Sequence, residues 1–156
     1  VNGQGAKVAL RGLSLGLGAA AFENLVAVHH HVPGSNSEQF FKSILSGESR
    51  AVFRGEIHID EGAIHTSSNQ LCRSLLLSPH CQSITDDVEA AQGSSTGELS
   101  DEELFYLESR GIDRHVAQRL ITLGFVLDIL DTLQDAELKT WARGELSMIQ
   151  ERIFPS

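Results

Sequence analysis

Glu56-Ile57-His58-Ile59-Asp60 alternates apolar and polar side chains. Successive side chains of a strand point to opposite faces, so this segment reads as a strand with one dry face and one wet face. Further short apolar runs lie around it, at residues 7–10, 13–17, 25–32, 51–53 and 75–77. Eleven of the 14 glycines precede Glu98 and punctuate these runs. Strands of four to eight residues between glycine-bearing turns account for that rhythm. No strict internal repeat is visible, but many short strands with few hairpin dipeptides suit a solenoid of stacked parallel coils. A β-sandwich is the competing arrangement. Residues 35–45 are richer in helix formers and fit either a helical turn or a continuing strand.

After Gly97 the period changes to that of helices. Ser100-Asp101-Glu102-Glu103 fits a capping box, and Gly111 can supply the left-handed turn that ends a short first helix. Asp113 is placed to cap a second helix, with Val116, Leu120, Leu123, Leu127 and Leu130 as its apolar stripe. A third helix is expected over residues 135–152, burying Leu138, Trp141, Leu146, Ile149 and Ile153. The chain therefore divides into a mainly β part, residues 1–97, and a small α-helical part, residues 98–156.

The 156 residues carry 12 basic and 21 acidic side chains, a net charge of -9. A chain this acidic repels a phosphate backbone, so no nucleic acid is expected as a partner. The helical part alone has 12 acidic and 6 basic residues. No run is long and apolar enough for a bilayer, so no membrane partner is expected and the chain reads as soluble. Two cysteines make neither a disulfide framework nor a zinc ribbon, and a reducing compartment is the default.

Seven histidines are the obvious lead to a metal. In His29-His30-His31, alternation lets only His29 and His31 converge while His30 points away. Cys72 and Cys81 could join His58, His65 or His80 if stacked coils bring them together, since thiolate and imidazole both suit zinc or iron. The role of a small buried hydrophobe suits each cysteine better than that of a ligand. There is no Gly-x-Ser-x-Gly elbow, no phosphate loop and no His-Glu-x-x-His helix, so no catalytic residue is assigned. Gly-Leu-Gly within residues 12–18 reads as a turn between strands, and Asp86-Asp87 as a solvated turn.

Several segments, in order, resemble the SufB/SufD family of iron–sulfur cluster assembly proteins, and SufD more than SufB. They are Leu10-Arg11-Gly12-Leu13, His30-x-x-Pro33 with Ser37 and Lys42, Ser49-Arg50-Ala51-Val52-Phe53-Arg54-Gly55-Glu56-Ile57, Ser74-Leu75-Leu76-Leu77-Ser78, Asp86-Asp87-Val88, and Leu104-Phe105-Tyr106-Leu107-x-Ser109-Arg110-Gly111-Ile112. The resemblance implies the C-terminal coils of a right-handed parallel β-helix followed by a small helical domain. It implies a scaffold subunit without catalysis of its own. The β-helix would pair with a SufB-like subunit, and the C-terminal helices would bind a SufC-like ATPase, with Leu104, Phe105, Tyr106, Arg110, Gly111 and Leu120 at that contact. A homodimer is a further partner consistent with it. An iron–sulfur cluster is expected only at the level of the complex, in the cytoplasm or, in a eukaryote, the plastid stroma.

Two departures bear on mechanism. Ala90-Ala91-Gln92-Gly93 stands where the family pattern has Cys-Ser-His-Gly, so Gln92 replaces the histidine associated with cluster assembly. An amide cannot carry a proton or ligate a metal as imidazole does. The segment between Ser78 and Asp86 is shorter than the family pattern and is expected to have lost a strand. Two alternative readings follow, a protein that binds metal or cluster alone through His and Cys, and a diverged copy without assembly activity.

Overall fold

The structure, a computed structural model, describes residues 1–88 and 92–154, without the side chains of residues 87, 88 and 92. Seven strands come first: β1 Lys7–Gly16, β2 Ala21–His30, β3 Asn36–Leu45, β4 Arg50–Ile59, β5 Ser67–Leu76, β6 Gln82–Val88 and β7 Gln92–Glu98. Three helices follow, α1 Asp101–Glu108, α2 Arg114–Asp131 and α3 Ala136–Ile153. The odd strands form one parallel sheet in the order β1-β3-β5-β7, and the even strands a second in the order β2-β4-β6. Each strand thus lies in the sheet opposite its predecessor. Residues 35–45 resolve as strand β3, not as a helical turn.

The pairing has a nearly regular step. Lys7 stands opposite Asn36 and Asn36 opposite Ser67, advances of 29 and 31 residues. Ala21 stands opposite Arg50 and Arg50 opposite Gln82, advances of 29 and 32. The expected loss of a strand between Ser78 and Asp86 is therefore corrected, because β6 occupies that region at a full-length step. The short step comes later: Gln70 stands opposite Gln92, an advance of only 22. Asp86-Asp87 likewise lies within β6 and not in a turn, with Asp86 in register with Arg54.

The strands are longer than the apolar runs suggested, for a physical reason. Residues 7–10 and 13–17 fuse through Gly12, and residues 51–53 and 56–59 fuse through Gly55. Neither glycine turns the chain. Gly12 stands opposite Phe41, whose ring contacts that of Phe53 across the space between the sheets at 4.9 Å between centroids. A Cβ on Gly12 would lie 2.3 Å from Phe41 Cδ1, and one on Gly55 would lie 2.2 Å from the Gln70 amide oxygen. These glycines make room for large neighbours between the sheets. Gly18 and Gly47 do turn the chain, at φ +61° and +77°, one stacked on the other.

Polar pairs tie the two sheets together inside: Asn24 Nδ2 donates to Ser14 Oγ at 3.2 Å, and the Ser74 and Ser83 hydroxyls lie 2.7 Å apart. The outer face of the odd sheet is covered by helix. Ile44 and Leu75 join Val126, Leu130 and Leu146 in one buried cluster, with Leu13 and Leu15 packed against it. A charged contact fixes the same junction. Lys42 is almost wholly buried, and its Nζ donates to the Phe125 carbonyl and to both Asp128 carboxylate oxygens, at 2.6 and 2.8 Å.

The first two helix caps fall where the sequence places them, and Asp135, expected as the start of the third helix, is its cap. Ser100 Oγ accepts from the Glu103 amide, Asp113 from His115, and Asp135 from Glu137 and Leu138. The buried faces differ from expectation. Helix α2 buries Ala117, Thr122, Val126, Ile129 and Leu130, leaving Val116 and Leu120 about half exposed. Helix α3 buries Leu146 and Gln150, while Leu138 and Trp141 are exposed. Helix α2 is apolar nearly all round, so periodicity cannot choose its inner face; the row of Leu15, Ile44 and Leu75 does.

Gly12→Ala should destabilise the protein by roughly 1–3 kcal/mol through overpacking against Phe41. Gly62→Ala, where an added Cβ meets open space, should be close to neutral. Urea unfolding of the two variants beside the parent measures both.

Candidate functional site

The His30-x-x-Pro33 segment is a buried turn anchor. His30 has no exposed surface, and its Nδ1 and Nε2 lie 2.7 and 2.9 Å from the hydroxyls of Ser35 and Ser37. Ser37 continues to Ser68 at 2.6 Å, so the imidazole ties the β2–β3 connection to β5. Burial, first of all, holds the His30 imidazole below its ordinary value, which keeps it neutral.

A column of amides runs through the same interior. Gln39 and Gln70 are register partners and both are buried. The Gln39 side-chain amide finds no hydrogen-bond partner among the described residues. Gln92 continues the register from Gln70; its side chain lies outside the described residues.

The structure separates the expected metal ligands. Cys72 is buried between the sheets, in register with Phe41. Cys81 is buried among Leu45 and Ala51, with its Sγ donating to the Gly47 carbonyl at 3.5 Å. His58 is exposed near the end of β4, beside His29 and Asp60. His65 is exposed in the β4–β5 connection at φ +58°. Among the described residues, no three His, Cys, Asp or Glu side chains converge as placed on one metal position.

The helical part offers a different kind of surface. Phe105 and Tyr106 are 72% and 56% exposed on α1, and the Arg110 guanidinium lies over the Tyr106 ring at 5.0 Å. They line an open groove of about 580 Å³ with Leu107 and Ile121. Gly111 ends this motif at φ +81°. Leu104, expected at the same contact, is 2% exposed and packs inward instead. Leu120 is exposed on α2. Aromatic side chains presented together to water mark surfaces that bind other molecules.

Comparison with known proteins identifies the chain's kinship. The core domain of SufBD proteins, described as SUF system FeS cluster assembly, matches residues 1–125. The chain belongs to the SufBD family. Within that family it is SufD-like. It is 30% identical to "Iron-sulfur cluster assembly protein SufD" of Escherichia coli (strain K12) over 147 residues, covering 89% of this chain and 35% of that protein. It is 35% identical to the protein of the same name from Plasmodium berghei (strain Anka) over 145 residues, covering 87% of this chain and 11% of that one. It is 32% identical to "Protein ABCI7, chloroplastic" of Arabidopsis thaliana over 123 residues, covering 73% of this chain and 26% of that one. The chain thus spans about a third or less of the length of these SufBD relatives. Among the described residues, no helix is long and apolar enough to cross a membrane.

Because folded His30 takes up a proton less readily than unfolded His30, protonation favours the unfolded chain. The stability this neutral imidazole supplies is full above the ordinary histidine value of about 6.5 and is lost as pH falls below it. His30→Gln should therefore cost more stability at pH 7.5 than at pH 5.5, read as the gap between urea midpoints of parent and variant.

Proposed function

We propose that this SufD-like chain is part of a scaffold subunit in iron–sulfur cluster assembly, with no catalysis of its own. In this reading the alternating parallel strands are coils of a right-handed β-helix. Residues 1–97 form that segment, and residues 98–156 form the helical domain that caps it. The β-helix pairs with a SufB-like subunit, and the helices bind a SufC-like ATPase. The observation that carries the reading is the match over residues 1–125 together with the exposed Phe105–Tyr106 pair that lies within it. The contact surface is then Phe105, Tyr106, Arg110 and Leu120, with Gly111 shaping the turn and Leu104 supporting it from beneath. The compartment is the cytoplasm or, for a eukaryotic source, the plastid stroma, in keeping with the chloroplastic relative.

A diverged copy without assembly activity is the second reading. It is favoured by Gln92, which stands in register with the interior amide Gln70 where the family pattern has a histidine. Gln92→His should raise complementation of a strain lacking SufD if that reading holds, and should change nothing if the scaffold role needs no imidazole there.

The scaffold reading is tested by binding. Purified chain should bind a SufC-like ATPase, and the double variant Phe105→Ser, Tyr106→Ser should weaken that binding about tenfold or more, since exposed aromatic anchors dominate such contacts. The thermal midpoint should stay within about 2 °C of the parent, as surface changes do. Failure of the parent chain to bind either a SufB-like or a SufC-like protein at micromolar concentration would overturn the proposal.

A further inference from the structure

Three exposed histidines and an aspartate meet where β2 and β4 end, outside the surfaces on which the scaffold reading rests. His29 and His58 are register partners on neighbouring strands, with ring centroids 5.3 Å apart. The His31 ring lies 6.0 Å from that of His29, on the same side of the chain, while the intervening His30 is buried. Asp60 joins two of the three: His31 Nδ1 lies 2.8 Å from Asp60 Oδ2, and His58 Nε2 lies 3.3 Å from Asp60 Oδ1.

We propose that His29, His31 and His58 form a surface site for one divalent transition-metal ion of the zinc type, with Asp60 as the carboxylate that orients His31 and lies beside His58. An ionised carboxylate only accepts hydrogen bonds, so the His31 ring directs its Nδ1 proton at Asp60, while His58 stands in ion-pair range of the same carboxylate. That leaves His31 Nε2 with a free lone pair, the form in which imidazole ligates a metal, and His58 can present either nitrogen. A carboxylate behind a ligating histidine is the usual means of holding its tautomer and raising its basicity. His29 has no carboxylate partner and can present either nitrogen.

Distance and exposure suit the proposal. Imidazole nitrogens bind zinc at about 2.0–2.1 Å. Rings whose centroids are 5.3 and 6.0 Å apart can bring their nitrogens to a common ion by turning about their side-chain bonds. The rings do not converge as placed, but the His58 side chain is 64% exposed and that of His31 47%, so both have solvent to turn into, with Asp60 following His31. Three imidazoles on two adjacent strands leave a fourth position open to water or to a donor from another molecule. Of the ligands weighed from the sequence, His29, His31 and His58 belong to this set; Cys72 and Cys81 are buried elsewhere. The inference is independent of the scaffold reading.

The test is zinc binding by the full chain, stripped with a chelator, dialysed, and titrated with Zn²⁺ at pH 7.5 against a chromophoric competitor. One ion per chain is expected. His29→Ala and His58→Ala should each weaken it at least tenfold, and Asp60→Asn about tenfold. His115→Ala, on exposed α2, should leave it unchanged. Affinity should also fall between pH 7.5 and 5.5 as protons compete for the nitrogens. Circular dichroism confirms that each variant is folded. A parent chain that takes up no zinc, or one whose affinity survives both His29→Ala and His58→Ala, would overturn the proposal. Equal loss on His115→Ala would do so as well.

Discussion

Parallel pairing in near-constant steps is the constraint on which the rest of this structure depends. When each strand meets the one two places back in register, side chains fall into columns that run through the stack at the spacing of neighbouring strands. A column must then be filled to constant width. Phe41 takes the space of two residues, so Gly12 beneath it has no side chain, and the Gln70 amide reaches across to Gly55 in the opposite sheet. Hydroxyls share the interior by bonding one another, as Ser37 does with Ser68 and Ser74 with Ser83. The polar interior costs little only while each such pair is complete.

The same columns explain the helical cap. On the outer face of the odd sheet, Leu15, Ile44 and Leu75 stack into a ridge from three successive strands, and α2 lies against it. Two positions earlier in the register, on the same face, Leu13, Lys42 and Arg73 form the next row, and Lys42 reaches the Phe125 carbonyl and the Asp128 carboxylate. Removing Asp128 would leave a buried ammonium with the Phe125 carbonyl and the faces of the Phe40 and Phe125 rings but no counter-charge in contact. Breaking a buried charge in this way is costly, whereas the exposed ion pairs such as Arg54 with Glu23 contribute little.

Much of this was legible in the sequence, and the exceptions have identifiable causes. Local signals held: Ser100 and Asp113 cap their helices, Gly111 turns at positive φ, and residues 56–59 lie in a strand, although Ile59, expected on its dry face, is 44% exposed where the strand ends. What failed depended on neighbours distant in the chain. Gly12 and Gly55 looked like turns because nothing local reveals Phe41 or Gln70 beside them. Val116, Leu120, Leu138 and Trp141 looked buried because an apolar stripe does not show which stripe meets the sheet. At the candidate sites the limit was similar. Alternation separated His30 from His29 and His31, yet the meeting with His58 and Asp60 needed the 29-residue step, which no repeat in the sequence displays.

The ridge under α2 also bears on how the molecule comes together. Leu15, Ile44 and Leu75 are spread over sixty residues, and the helical residues that cover them, Val126, Leu130 and Leu146, lie further along still. A helix cannot find this seat until three strands have aligned, because no single strand presents enough of it. Formation of the cap is thereby conditional on completion of the stack, and contacts this remote in the chain favour slow, all-or-none assembly. The helices act as a seal on a finished sheet, so that a misaligned stack would declare itself by leaving them unseated.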